Sequence, residues 1–174
     1  MLAVLPPLLL AGLLAAPPTE PAVDVSAART AAELDAFWAE AARTVRNGDA
    51  AGYTALYHPD AVFVSDVKGT VAPIAEQLEK WNPGFEETKA GETVAEVSFR
   101  FTQRLHGPTT AHETGLFRYV SHAPGATGEP AFVRFEALLV RGPDGWRWVM
   151  ERQLGVVTER EWEAARAAAE TLRR

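Results

Sequence analysis

Four charged residues stand at strand positions otherwise filled by aromatic and aliphatic side chains. Over the extended segments 110–121, 131–141 and 145–154, alternation sets Glu113, Arg134, Glu136 and Arg152 on the same face as Phe117, Tyr119, Leu138, Trp146 and Trp148. A buried charge is costly unless it is paired and hydrogen-bonded, or unless it borders a wet cavity. Two explanations compete: a structural ion-pair cluster, or a small-molecule site with an apolar lining and a few convergent polar groups. Other chemistries find no support. The four histidines, His58, His106, His112 and His122, lack metal-ligand spacing on any one element. No G-x-S-x-G, Walker loop or dinucleotide fingerprint occurs, so neither a metal nor a cofactor is expected.

The face assignment rests on which residues must reach water. In the segment Thr93–Leu105, Glu96, Arg100 and Arg104 belong outside, which turns Val97, Phe99, Phe101, Gln103 and Leu105 inward. In the segment Gly145–Leu154 a solvated Arg147 turns Trp146, Trp148, Met150 and Arg152 inward. A solvated Arg141 likewise turns Val140, Leu138, Glu136 and Arg134 inward in the segment Ala131–Arg141. For Thr110–Ser121 the bulk of Phe117 and Tyr119 decides, and Glu113 and Gly115 go with them. The turns at His106-Gly107-Pro108 and Gly142-Pro143-Asp144-Gly145 make antiparallel hairpins of the flanking strands.

Helices precede these strands. Leu34, Phe37, Trp38, Ala41 and Val45 form one stripe of a helix over Thr30–Arg46, stopped by Asn47-Gly48. Asp49 caps a second helix through His58, with Tyr53, Leu56 and Tyr57 on one face, and Ala61–Ser65 follows as a short strand that includes Phe63. Thr70 is the expected cap of a third helix running to Trp81 and ended by Pro83-Gly84. At the other end Thr158–Glu161 has the form of a capping box before an Ala-rich helix with Trp162 and Leu172 on its apolar face. That thin stripe suits weak docking or contact with a second subunit.

The chain of 174 residues holds no cysteine, which excludes disulfides, thiolate metal sites and a cysteine nucleophile. Its net charge of −6, with Lys and Arg scattered, argues against nucleic acid as a partner. Met1–Ala16 is an apolar run followed by a Pro-rich polar stretch, which suggests a secretory leader and a periplasmic or secreted product, although its first residues lack Lys and Arg. The run falls short of the roughly 20 apolar residues that span a bilayer easily. No stable membrane insertion is therefore expected once the leader is removed.

Taken together, RNGDAAGYTALYHPDAVFVSD (46–66), Gly69 followed by a helix, AHETG (111–115) and PDGWRWVMERQ (143–153) resemble the nuclear transport factor 2-like superfamily, in particular its SnoaL-like and ketosteroid isomerase-like branches. The expected organisation is leader and linker over 1–22, a SnoaL-like domain over 23–157, and a C-terminal helix over 158–174. The resemblance implies an α+β fold, a strongly curved antiparallel sheet wrapped around N-terminal helices as a cone-shaped, cystatin-like roll. It also implies a pocket inside the cone and frequent homodimerisation. Trp38, Tyr53, Tyr57, Phe63, Trp81, Phe99, Phe101, Phe117, Tyr119 and Trp148 become candidate lining for a small apolar or aromatic molecule, with Glu113, Arg134, Glu136 and Arg152 to orient it. Asp66 and Glu136 are the candidate proton shuttles should a reaction of the isomerase or cyclase type occur there. An interaction module with a filled core is the third possibility.

Overall fold

The computed structural model describes residues 25–171; the expected leader Met1–Ala16 and Leu172 lie outside the described residues. The elements run α1 (Val25–Arg46), α2 (Ala50–Ala55), β1 (Tyr57–Ser65), β2 (Thr70–Pro73), α3 (Ile74–Lys89), β3 (Val94–His106), β4 (Thr110–His122), β5 (Ala131–Gly142), β6 (Gly145–Val156) and α4 (Glu159–Thr171). The six strands form one curved, unclosed sheet in the order β2-β1-β6-β5-β4-β3. Every neighbouring pair is antiparallel except β1 and β6, which run parallel, so the sheet is mixed.

The stripe anticipated on α1 is buried: Leu34, Phe37, Trp38 and Ala41 pack against Phe135, Ala137, Leu139, Trp146 and Trp148 of the sheet. Burial of each large side chain here contributes about 1.5–3 kcal/mol. Gly48 turns the chain with φ +63°, and a Cβ there would lie 2.3 Å from the Lys89 nitrogen, so only glycine lets the end of α1 meet the end of α3. Asp49 caps α2 by accepting from the Gly52 N–H at 2.9 Å.

The boundaries of α2 and α3 differ from expectation. The second helix stops at Ala55 because the Leu56 carbonyl accepts from the Trp148 N–H at 2.9 Å and Tyr57 enters the sheet opposite Trp148. Thr70 does not cap the third helix; it pairs with Ser65 in a hairpin, and α3 begins after Pro73. α3 then runs through Pro83 to Lys89 instead of ending there. Pro83 removes one helical hydrogen bond, but the next turn is held by packing of Phe85 against Tyr53, with ring centroids 5.2 Å apart, and by the Thr88 hydroxyl donating to the Gly84 carbonyl at 2.8 Å.

Three face assignments are also corrected, and two of the corrections come from bulges. In β5 the residues buried in the main core are Phe135, Ala137 and Leu139, so Arg134, Glu136, Leu138 and Val140 face the other way, the side on which Phe132 is buried. Arg141 is the cause: it reaches Glu33 on α1 at 2.8 Å rather than water, which inverts the whole alternation. In β6 a register shift between the pairs Leu138–Met150 and Leu139–Trp148 inserts one residue. Trp146 and Trp148 stay inward, but Glu151 and Gln153 replace Met150 and Arg152 on the inner face. A second bulge, between Phe101 and Gln103, carries Arg104 inward to Glu113 and leaves Gln103 and Leu105 exposed. β4 keeps its expected inner set of Glu113, Gly115, Phe117 and Tyr119, with Glu113 wholly buried.

A second, smaller cluster lies on the outer face. The capping box forms, with the Thr158 N–H donating to Glu161 at 2.9 Å and the Glu161 N–H to the Thr158 hydroxyl at 3.3 Å. It aims α4 across β3 and β4, where Trp162 and Ala165 cover Leu116 and Phe132. The Arg100 guanidinium stacks 3.9 Å from the Trp162 ring centroid. The helix is thus anchored on its own sheet through Trp162.

Candidate functional site

Between the helices and the concave side of the sheet lies a cavity of about 360 Å³. α1 contributes Trp38 and Val45, α2 Tyr53, and α3 Trp81, Gly84, Phe85 and Thr88; the floor is Val97, Phe99, Phe117, Tyr119, Ala131, Val133, Phe135 and Trp148, with Glu151 and Gln153 at one wall. The rings interlock at mixed angles: Trp38 lies 4.6 Å from Phe99 and 5.1 Å from Trp148, and Tyr57 lies 4.7 Å from Trp148. Such tilted and edge contacts suit ring quadrupoles and stiffen the wall.

Glu151 is the ionisable carboxyl of this cavity. Its Oε2 accepts from the Tyr57 hydroxyl at 2.5 Å and its Oε1 from Gln153 at 2.9 Å. Burial pushes the carboxyl above the usual glutamate range, against the opposing pull of those two donors. Tyr53 lies 3.4 Å from Tyr57, hydroxyl to hydroxyl, and both phenols are pushed upward, first by burial and then by the Glu151 charge. Beside this chain Trp148 is 2% exposed, and its indole N–H has no hydrogen-bond partner among the described residues. No Lys, Arg or His appears among the residues that line the cavity.

Of the residues proposed from sequence, Trp38, Tyr53, Trp81, Phe99, Phe117, Tyr119 and Trp148 meet around this space. Tyr57, Phe63 and Phe101 stand behind the wall: Tyr57 supports Glu151, Phe63 packs 5.5 Å from Trp81, and Phe101 packs 5.1 Å from Trp38. Glu113 is not a lining residue either. It accepts from the Trp38 indole and, at 2.5 Å, from Arg104, and Arg104 in turn bonds Asp35, so the group ties α1 to β3 and β4.

The remaining charged candidates lie elsewhere. Arg134 bonds Glu161 at 3.2 Å on the outer face. Arg152 bridges Asp66 at 2.8 Å and Glu136 at 3.3 Å, also away from the cavity. Hydrogen bonding to Arg152 holds Asp66 below the usual carboxylate range. None of Asp66, Arg134, Glu136 and Arg152 borders the cavity. Of the two explanations for charges among apolar strand residues, ion pairing is the one that describes Glu113, Arg134, Glu136 and Arg152. Glu151, Gln153 and Phe85 were not anticipated: the bulge hides the first two from alternation, and Pro83 concealed the turn that carries the third.

A layer of helices against a curved mixed sheet, with a cavity between them, defines a pocketed α+β roll. No protein-family model matches the chain, and no curated protein matches it. Solved structures do. An NTF-2 like protein of unknown function from Shewanella oneidensis superposes with TM-score 0.57 at 13% identity, covering 71% of this chain and 98% of that one. A conserved protein from Planctomyces limnophilus gives TM-score 0.60 at 14% identity, covering 75% and 98%. A ketosteroid isomerase-like protein from Erwinia carotovora atroseptica gives 0.54 at 15%, covering 78% and 98%. The chain therefore shares the fold of these NTF-2 like and ketosteroid isomerase-like structures, the fold that the resemblance of its sequence motifs implied.

Proposed function

We propose that this protein binds a small, largely apolar molecule inside the roll, packed on the Trp148 ring and oriented by Glu151. The observation that carries the reading is an aromatic-walled cavity that holds one buried carboxyl, Glu151. The volume of about 360 Å³ falls at the lower end of small-molecule sites, about 300–1,000 Å³. The neutral fluorophore N-phenyl-1-naphthylamine tests the reading. It should bind the full chain one to one and lose most of its affinity to Val133→Phe, which fills the cavity from the floor. Equal binding to both proteins would overturn the reading.

A second reading is supported by the same carboxyl. An acid held above its ordinary range, accepting from the Tyr57 hydroxyl with that of Tyr53 next to it, suits proton transfer at carbon beside a carbonyl. In that reaction the ionised Glu151 removes a proton from the α-carbon and returns it to another carbon of the same molecule. Exchange of α-hydrogen for deuterium in an apolar ketone, present with the native chain and absent with Glu151→Gln, is the test. We further propose that Met1–Ala16 is an export leader; N-terminal sequencing of the exported protein decides that.

A further inference from the structure

The geometry points to an organic ammonium ion with an apolar or aromatic body as the preferred ligand, its charge set against Glu151 inside the ring wall. This rests on the cavity being a binding site and adds the charge of what it takes. Three observations converge. First, the wall around Glu151 is built of Trp38, Tyr53, Trp81, Phe85, Phe99 and Trp148. The rings are tilted against one another, with Tyr53 at 41° to Phe85 and at 76° to Trp81. Ring faces attract cations, most strongly where water is excluded.

Second, both Glu151 oxygens already accept hydrogen bonds, from Tyr57 and from Gln153. The carboxyl is held as an acceptor, ready for a positive partner. Third, the protein supplies no such partner among the described residues. Glu151 stands opposite Phe63 of β1 and Ala137 of β5, α1 contributes Trp38 and Val45, α3 contributes Trp81, Phe85 and Thr88, and the titratable groups near it are Tyr57 and Tyr53. An anionic ligand would meet an acid with no base to offset it. An ammonium ion supplies the missing charge and favours the ionised carboxyl, so that its binding lowers the pH at which Glu151 gives up its proton.

The test compares three probes with the full chain by calorimetry: phenethyltrimethylammonium, its neutral isostere with carbon in place of nitrogen, and 4-phenylbutyrate. The cation should bind at least about tenfold tighter than the isostere at pH 8, and the carboxylate weaker than either. Because the quaternary nitrogen does not titrate, the preference should fall as pH drops through the Glu151 titration, and Glu151→Gln should abolish it. If the isostere binds as tightly as the cation, the cavity takes neutral ligands and the inference fails while the binding reading stands. If neither cation nor isostere binds, both fail. The native chain alone decides this even if Glu151→Gln does not fold.

Discussion

The Tyr57 hydroxyl meets the Glu151 carboxyl at 2.5 Å across the seam where β1 lies parallel on β6. Tyr57 is the first residue of β1, placed there because Leu56 has already given its carbonyl to Trp148. Glu151 faces it because a bulge turns it inward. A local irregularity in each strand thus brings a donor and a buried acid together at the cavity wall.

That burial makes stability depend on pH with a definite sign. The Glu151 carboxyl titrates higher in the folded chain than its ordinary value of 4.5. Between those two values the native state holds the proton that the unfolded chain has lost, so this group's contribution is complete at low pH and declines as pH rises. Glu151→Gln keeps an acceptor for Tyr57 and does not titrate. Its stability relative to the native chain should increase from pH 4 to pH 8, by about 1.4 kcal/mol for each pH unit over which the folded carboxyl keeps a proton that the unfolded one has released. Urea unfolding at the two pH values checks this, and a constant gap would contradict it.

Arg104 has a different kind of value. Removing it leaves the fully buried Glu113 carboxyl with only the Trp38 indole as partner. Arg104→Met should therefore destabilise the chain by about 3–5 kcal/mol, and adding Glu113→Gln should restore a large part. A double variant no more stable than the single one would show that the ion pair is not the source of the loss.

On the outer face the expectation reverses. Arg152 is 38% exposed along its side chain and holds Asp66 and Glu136 in a surface network that water screens. Arg152→Ala should leave the urea midpoint close to the native one and probe binding in the cavity unchanged. A large loss of binding would return these outer charges to the site.

These contrasts show what the sequence discloses. The amphipathic stripe of α1, the hairpin turns and the capping box at Thr158 are local signals, and each is found where its residues place it. The aromatic lining was legible because large rings on one face of successive strands have nowhere else to pack. The acid of the site was not. Period-two reasoning propagates from one anchor, and Arg141 was an unsound anchor because its long side chain reaches Glu33 across the sheet end. Bulges near Thr102 and Val149 then shift every residue beyond them, and nothing in the local sequence marks either one.

Trp162 offers a check on the outer layer. Its ring, 5% exposed, covers Phe132 and carries the Arg100 stack. Trp162→Ala should cost about 3–5 kcal/mol and speed amide exchange throughout α4, while exchange in α1 changes little below the global unfolding limit. Unaltered exchange in α4 would mean that the helix is held by other contacts.

The most direct measurement is a crystal structure of the chain with N-phenyl-1-naphthylamine bound. The probe should lie among Trp81, Phe99 and Trp148, with its N–H near the Glu151 carboxyl. Density on the outer face beside Leu138 and Arg152, with the cavity collapsed, would contradict it.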